Sequence, residues 1–185
     1  MSNHLQNKKS LVGCFIILFT LFFIGVFSLF NLWIGLRLFY NDTRSAPQGV
    51  YIGAAYHMDT FSLGDYVIME LPYKVGKLNQ GYLMLKQVKG FPGDEFDVLD
   101  THLFIRGLIY PIMRNVPALP QMGSGHYSVP DYHYLLLNDP VDSFDCRYLG
   151  PVHRKHIKAR AMLLFTYERM NSFLSHFSWI LSLFK

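Results

Sequence analysis

The sequence predicts a mainly β protein: an antiparallel β domain behind one N-terminal transmembrane helix. Hydrophobic residues make up 51% of the 185-residue chain and charged residues 16%, whereas soluble domains carry about 25% charged residues. One uncharged run near the N-terminus holds much of this excess. The rest of the chain consists of short β-type segments separated by turn residues. The net charge of +4 is too small to indicate nucleic-acid binding, and no nucleic-acid partner is expected.

The N-terminal run from Leu11 to Leu36 contains no charged side chain. A helix over this run would be roughly 39 Å long at about 1.5 Å per residue, and a bilayer core needs about 20 apolar residues. A cleaved signal peptide has a shorter apolar region of about 7–15 residues. We therefore expect an uncleaved anchor over 11–38 behind a cytoplasmic N-terminus at 1–10, an orientation that the two preceding lysines slightly favour.

Residues 39–170 are predicted to form an extracytoplasmic β domain. Their β-branched and aromatic residues lie in short segments bounded by Gly, Pro, Asn and Asp. The predicted strands lie within 64–72, 81–94, 95–107, 131–139 and 157–168. Between them, the stretch 108–130 carries four prolines and two glycines, so it is predicted to be a long loop or an irregular hairpin.

The C-terminal segment 171–185 is predicted to be a short amphipathic helix. Its large apolar residues recur at helical spacing, and they are Phe173, Phe177, Ile180 and Phe184. The segment is too short to cross a bilayer. Two roles stay open: a helix that closes the core, or a helix that lies in the membrane interface.

Common catalytic and metal-binding motifs are absent from the sequence: there is no HExxH, GxSxG, Walker loop or GxGxxG. His153 and His156 could supply half of a metal site, but further ligands are missing, so no metal or other cofactor is expected. Asn41 formally begins a glycosylation acceptor, a short pattern that is common by chance.

Three other segments fit one another. They read NDTRSAPQGVY over 41–51, LKQVKGFPGD over 85–94 and NDPVDSFDCRYLGPV over 138–152. In this order, behind an anchor, they resemble the bacterial signal peptidase I family of Ser/Lys proteases, and most closely its conjugative-transfer branch, the TraF type. The resemblance covers about residues 8–165 and implies a signal-peptidase-like antiparallel β catalytic domain.

The resemblance also implies a role for each matching residue. Ser45, in a Ser-x-Pro-x-Gly-x-Tyr pattern, would be the nucleophile, and Lys86, six residues before Pro-Gly-Asp, would be its base. An oxyanion hole would be formed by the backbone N–H of Ser45 with help from Thr43. Ser143 would orient the lysine. Structural residues near the site would be Asp145 and Arg147, as an ion pair, together with Pro47 and Gly49.

The residues around Lys86 support this role independently. A free lysine has a pKa of about 10.4 and is charged at neutral pH, but burial among apolar groups lowers that pKa. In a strand, Lys86 shares one face with Met84 and Val88 by the period of two. Lys89 falls on the opposite face beside a turn, and we expect it to be the solvated lysine of the pair.

These observations predict a membrane-anchored serine endopeptidase with a Ser/Lys dyad. It would cleave signal-type or pilin precursor peptides at the outer, periplasmic face of the bacterial cytoplasmic membrane, in conjugative transfer. A precursor protein and membrane lipid are the expected partners, and the peptide would dock as an added strand beside 82–88. Alternatives are a housekeeping signal peptidase and a non-catalytic scaffold of a secretion or conjugation apparatus. The sequence does not predict an oligomeric state.

Overall fold

The computed structural model describes residues 2–55, 60–114, 116 and 119–182. It divides into two units, Met1–Leu36 and Arg37–Lys185. The first unit is the helix α1, Ser2–Ile34, whose phenylalanines at i, i+4 spacing contact one another: the ring centroids of Phe15 and Phe19 lie 6.2 Å apart. Within the described residues, no helical segment combines the length and the apolarity needed to cross a membrane. The transmembrane assignment therefore stays a prediction.

The second unit is built almost entirely of antiparallel strands, as the sequence predicts. In chain order they are β1 Leu36–Asn41, β2 Gly49–Ala54, β3 Tyr66–Glu70, β4 Leu83–Gly90, β5 Glu95–Leu99, β6 His102–Ile105, β7 Leu108–Pro111, β8 Gly125–Ser128, β9 His133–Leu137, β10 Val152–His153 and β11 Ile157–Thr166. The helices are α2 Cys146–Leu149 and α3 Tyr167–Ser182, with a 3-10 turn at Arg154–His156.

Two sheets organise these strands. The larger has seven strands in the order β1-β2-β11-β3-β4-β9-β10, and the smaller has four in the order β7-β6-β5-β8. Consecutive strands β3 and β4 pair directly, with Val67 opposite Lys86. The last long strand, β11, lies between β2 and β3. β2, which follows the loop of Ser45, and β4, which contains Lys86, therefore belong to the same sheet.

Three boundaries differ from those expected. The segment 108–130 is not one loop, because its ends are the strands β7 and β8. Arg106 and Gly107 have φ of 50° and 74°, and two consecutive positive φ values are typical of the tight turn that joins a hairpin. The predicted anchor ran to residue 38, but β1 already begins at Leu36.

The C-terminal helix begins at Tyr167, whereas the sequence placed its start at 171. In its described part, Phe173 and Leu174 are 70% and 54% exposed. The side chains of Phe177 and Ile180, and the whole of Phe184, lie outside the described residues.

The hydrophobic core forms on the two faces of β4 and its neighbours. Met84 and Val88 point into the larger apolar cluster, which also contains residues of β5, β6 and β9. Leu85 points into a smaller cluster on the other face, together with Ala46 and Tyr51. Because side chains alternate along a strand, Lys86 lies on the side of the larger cluster.

Candidate active site

Asn41, the last residue of β1, holds the loop that contains Ser45. Its side-chain nitrogen donates to the carbonyl oxygens of Thr43, Ala46 and Pro47 at 3.0, 3.1 and 3.2 Å. Its side-chain oxygen accepts from the Thr43 backbone N–H at 3.3 Å. Asn41 is only 4% exposed. Its nitrogen is thus buried and fully engaged, which argues against the glycosylation that the sequence pattern formally allowed.

The hydroxyl groups of this loop form an ordered chain. Thr43 Oγ1 lies 2.7 Å from Asn41 Oδ1 and 2.9 Å from Ser45 Oγ. An amide oxygen can only accept, and a hydroxyl has one proton to donate. Thr43 therefore donates to Asn41, and its lone pair accepts the hydroxyl proton of Ser45.

The remainder of the loop is fixed by packing against β2 and β11. The hydroxyl of Tyr51, in β2, donates to the carbonyl oxygen of Pro47 at 2.8 Å. Burial raises the pKa of Tyr51 to about 12, so this donor keeps its proton. A Cβ added at Gly49 would clash with the carbonyl oxygen of Phe165, which explains the glycine at the loop's end. Ser45 itself is partly exposed.

Lys86, in the middle of β4, is buried with 3% of its surface exposed. Its Nζ donates to Ser143 Oγ at 2.9 Å, and Ser143 is itself 1% exposed. Burial lowers the pKa of Lys86 below its ordinary value of 10.5; Asp145 acts in the opposite direction and Arg147 in the same direction. The effects of Asp145 and Arg147 on the pKa of Lys86 thus oppose each other, and desolvation decides the direction of the shift.

Asn138, which directly follows β9, forms hydrogen bonds to the backbone on both sides of Lys86. Its side-chain nitrogen donates to the carbonyl oxygen of Leu85 at 3.0 Å. Its side-chain oxygen accepts from the N–H of Gln87 at 3.1 Å. Asn138 is 2% exposed. Sequence reasoning missed both Asn41 and Asn138; the only signal was that each stands within a matched motif.

Asp145 and Arg147 form an ion pair with 0% exposure of either side chain and a shortest distance of 2.7 Å. A second contact, from Arg147 Nε to Asp145 Oδ1 at 2.9 Å, makes the pair bidentate. The pair also holds Asn138: Asp145 Oδ2 accepts from its backbone N–H at 3.1 Å, and Arg147 donates to its carbonyl oxygen at 2.6 Å. The third motif therefore supports Lys86 both through Ser143 and through Asn138.

Cys146, between these two charges, is a packing residue. It is fully buried, and its Sγ accepts from the N–H of Leu136 at 3.1 Å. Burial raises the pKa of its thiol far above the usual range. Reactive cysteines have lowered pKa values, so Cys146 is not a competing nucleophile.

Two pockets meet at Ser45. The first, which we call the dyad pocket, has a volume of about 300 Å³ and is lined by both Ser45 and Lys86. Its other lining residues are Phe39, Tyr40, Asn41, Asp42, Thr43, Arg44, Leu78, Tyr82, Leu83, Met84, Leu85, Asp142 and Phe144. The second, which we call the polar pocket, has a volume of about 460 Å³ and is lined by Arg44, Ser45, Ala46, Pro47, Gln48, Tyr66, Gln87, Asn138, Asp139 and Pro140. The structure thus brings the three sequence motifs together.

Lys89 was expected to be the solvated lysine of the pair, and it is the more exposed of the two: its side chain is 13% exposed, whereas Lys86 is 3% exposed. Its Nζ lies 3.2 Å from Asp139 Oδ1 and 6.0 Å from the centre of the Tyr110 ring. This ion pair and the ring limit its exposure. The two lysines of β4 therefore differ in partner: Lys89 has a carboxylate and Lys86 has a hydroxyl.

His153 and His156, which follow the third motif, do not form a metal site with other described residues. His156 Nδ1 lies 3.1 Å from Glu70, and His153 Nδ1 accepts from the N–H of Lys155 at 3.0 Å. In the part of the chain that the structure describes, no three His, Cys, Asp or Glu side chains cluster as metal ligands would.

Comparison with known proteins identifies the family. Residues 9–166 match the signal peptidase family, peptidase S26, and the chain belongs to that family. This confirms the resemblance indicated by the three motifs. Members of this family are serine peptidases that act on precursor proteins.

Two curated relatives represent two branches. A plasmid transfer protein TraF of Escherichia coli is 31% identical over 63% of this chain and 76% of its own length. A probable signal peptidase I-2 of Synechocystis is 27% identical over 71% of this chain and 66% of its own. A solved signal peptidase I from Enterococcus faecalis is 20% identical, with a TM-score of 0.37, over 55% of this chain and 97% of its own.

Proposed function

We propose that the protein is a serine endopeptidase with a Ser45/Lys86 dyad, which cleaves signal-type or pilin precursor peptides. The observation that carries this proposal is the environment of Lys86. It is buried, its pKa is lowered by that burial, and it lines the same pocket as Ser45. A buried lysine without a carboxylate partner is suited to act as a neutral base.

In the proposed reaction, neutral Lys86 takes the proton of Ser45, and Ser45 Oγ attacks the scissile carbonyl carbon. The tetrahedral intermediate collapses when Lys86 returns the proton to the leaving amine, which gives an acyl-enzyme. Lys86 then takes a proton from water, and the resulting attack releases the acyl half from Ser45. Ser143 orients the base, because Lys86 already donates one proton to Ser143 Oγ and keeps its lone pair for Ser45.

The oxyanion of the intermediate would be stabilised by the backbone N–H of Ser45 and the hydroxyl of Thr43. In the resting arrangement Thr43 donates to Asn41 and accepts from Ser45. When Ser45 gives its proton to Lys86, Thr43 loses the donor that faced it. Its own hydroxyl can then turn from Asn41 towards the oxyanion.

The precursor would bind as a strand added to β4. The pairing of β9 with β4 begins at Gln87, and among the described residues no strand lies beside Leu83 or the N–H of Leu85 on that edge. These residues line the dyad pocket. Main-chain hydrogen bonds to an exposed strand edge are a general mode of peptide recognition, and the dyad pocket beside Ser45 would hold the small residues before the cut.

The likeness to a plasmid transfer protein favours a role in conjugative transfer, with a pilin precursor or another transfer component as substrate. The alternative is a housekeeping signal peptidase, with the same chemistry and a wider range of precursors, and the likeness to a probable signal peptidase supports it. A non-catalytic scaffold would have no need of a desolvated lysine beside a serine.

We also propose that the segment from residue 11 to the end of α1 at Ile34 anchors the protein in the cytoplasmic membrane with its catalytic domain outside. Exposed apolar side chains along α1 support this, Phe15 being 69% and Phe27 68% exposed. The exposure of Phe173 supports a second lipid contact by α3. Alkaline carbonate extraction of bacterial membranes tests the anchor: an integral protein stays in the pellet, and a protein released to the supernatant would contradict the proposal.

The proposed activity is tested with the purified full chain in detergent and a candidate pilin precursor. The masses of the products should identify one cut after a small residue, and they also distinguish hydrolysis from transfer to an amine. Ser128→Ala and Lys77→Ala change exposed residues of the same types, and they serve as matched controls for Ser45→Ala and Lys86→Ala. If the Ser45→Ala variant cleaves as well as its control, the proposed nucleophile is wrong.

A further inference from the structure

We infer that the polar pocket is the binding subsite for the segment of the precursor that follows the scissile bond. This inference rests on the proposed function. Ser45 and Arg44 line both the polar pocket and the dyad pocket. A peptide bond attacked by Ser45 therefore has one pocket for each of its two flanking segments.

Asn138 determines where the added strand must leave the sheet. Its side chain occupies the carbonyl oxygen of Leu85 and the N–H of Gln87. These are the next groups with which a strand pairing along Leu83 and Leu85 would bond. Beyond Asn138, β9 already pairs with β4, with Gln87 opposite Leu137. The incoming peptide cannot continue along β4 and has to turn out of the sheet at this point.

The polar pocket begins at that point, because Gln87 and Asn138 are part of its lining. On its other side lie Pro47 and Gln48, the loop residues that follow the nucleophile. A peptide that leaves the edge of β4 and passes Ser45 therefore enters the polar pocket. The volume of about 460 Å³ is within the range typical of ligand pockets.

The two pockets differ in their apolar residues. Polar groups line both pockets, but the large apolar side chains of β4, Phe39, Leu78 and Phe144 line only the dyad pocket. The polar residues of the polar pocket are Arg44, Gln48, Tyr66, Gln87, Asn138 and Asp139, of which Asn138 is already bonded to β4 and Gln48 to Asp42. Asp139 is 76% exposed and held by its contact with Lys89 at 3.2 Å. The site therefore takes a short polar peptide segment, which bonds through its amides and its newly formed amino group.

Photo-crosslinking with the full-length Ser45→Ala protein tests the placement without requiring catalysis. Two synthetic peptides share alanine at the first and third positions before the cut and carry benzoylphenylalanine either two residues before or two residues after it. The probe after the cut should cross-link to residues of the polar pocket, in the segments 46–48 or 138–140. The probe before the cut should cross-link to residues of the dyad pocket, such as Tyr82 or Phe144.

A kinetic experiment tests the chemistry of the same site. Peptides with one common acyl half are followed by Gln-Ser-Gly or by Leu-Leu-Gly. The polar leaving segment should raise kcat/KM by about fivefold, the effect of one hydrogen bond of ordinary strength. Asp139→Ala should reduce this preference towards one. Asp131→Ala removes an exposed carboxylate that lines neither pocket, and it should keep the preference.

The outcomes separate this inference from the proposed function. Cleavage at equal rates with both leaving segments, or cross-links of the probe after the cut only to the dyad pocket, would overturn the subsite and leave the dyad standing. Cross-links in the expected pockets without cleavage by the wild-type protein would support the subsite and contradict the peptidase. If neither probe cross-links to either pocket, the peptide does not dock at Ser45 and both proposals fail.

Discussion

The two halves of the candidate dyad are held in different ways. The side-chain hydrogen bonds around Ser45 join residues at most six positions apart and are centred on Asn41. Lys86 is fixed by residues more than fifty positions away, Ser143 and Asn138. The proposed nucleophile thus has a local, partly exposed setting, and the proposed base has a buried setting that exists only in the folded protein.

Because the two settings differ, substitutions in them should act on different properties, namely on the rate and on the stability. A substitution in the loop of Ser45 alters a partly exposed set of hydroxyl groups, so its main effect should be on catalysis. A substitution around Lys86 alters buried polar groups, and these cost stability when they lose a partner.

The largest effect is expected when either half of the dyad is removed. Ser45→Ala and Lys86→Ala should each lower the rate of precursor cleavage by at least about 10⁴-fold, because nucleophile and base act as one unit. For the same reason, the double variant should be little worse than either single one. Single-turnover rates, with far-ultraviolet circular dichroism as the check on folding, measure this. Additive losses in the double variant would show that the two residues act separately.

The next largest effect is expected on stability, at the ion pair behind Lys86. Arg147→Met leaves the Asp145 carboxylate buried without its partner, which should lower the free energy of unfolding by about 3–5 kcal/mol. Arg106→Met breaks an ion pair with Asp94 whose arginine is 41% exposed, and it should cost about 1 kcal/mol or less. Urea unfolding of the two variants compares them directly, and equal losses would contradict the contrast.

A smaller effect, on rate alone, is expected at Thr43. Thr43→Val removes the hydroxyl that contacts Ser45 and should lower kcat by about 10²-fold, the loss typical of an oxyanion-hole donor. Thr43→Ser keeps the hydroxyl and should restore most of the rate. Thermal unfolding should differ little between the two variants. If Thr43→Ser is as slow as Thr43→Val, the side chain acts through its methyl group and the assignment is wrong.

The smallest effect is a dependence of stability on pH. The unfolded chain keeps the proton of Lys86 up to about pH 10.5, whereas the folded protein releases it at a lower pH. Between these two pKa values the unfolded state binds more protons, so stability rises with pH. Lys86→Met lacks this contribution. Its stability relative to the wild type should therefore be greatest at neutral pH and should decline as the pH rises to 10.5. A constant difference across this range would contradict a lowered pKa.

The strands and the site motifs could largely be predicted because they depend on local patterns. Alternation of apolar residues placed β4 and showed that Lys86 shares a face with Met84 and Val88, and the structure confirms this burial. The hairpin of β6 and β7 was missed because its turn uses Arg106 with a positive φ, where the usual signal is Asn or Asp before glycine. The ion pair of Lys89 was not predicted, because its partner, Asp139, lies fifty positions away.

The roles of Asn41 and Asn138 could not be predicted for a related reason. Asparagine in a loop is normally read as a turn residue. Only the fold shows that the side chain of Asn41 forms hydrogen bonds across the loop of Ser45. Only the fold likewise shows that the side chain of Asn138 bonds to the backbone on both sides of Lys86. Both functions require burial, which a single sequence does not display.

The pH dependence of kcat/KM tests whether a neutral Lys86 activates Ser45. This profile reports the ionisation of groups in the free enzyme. We predict that kcat/KM for a precursor peptide rises with pH, with a slope of one, through a single pKa that lies below 10.5, since only the deprotonated amine can take the serine proton. A profile that is flat across this range, or that falls as the pH rises, would contradict the account.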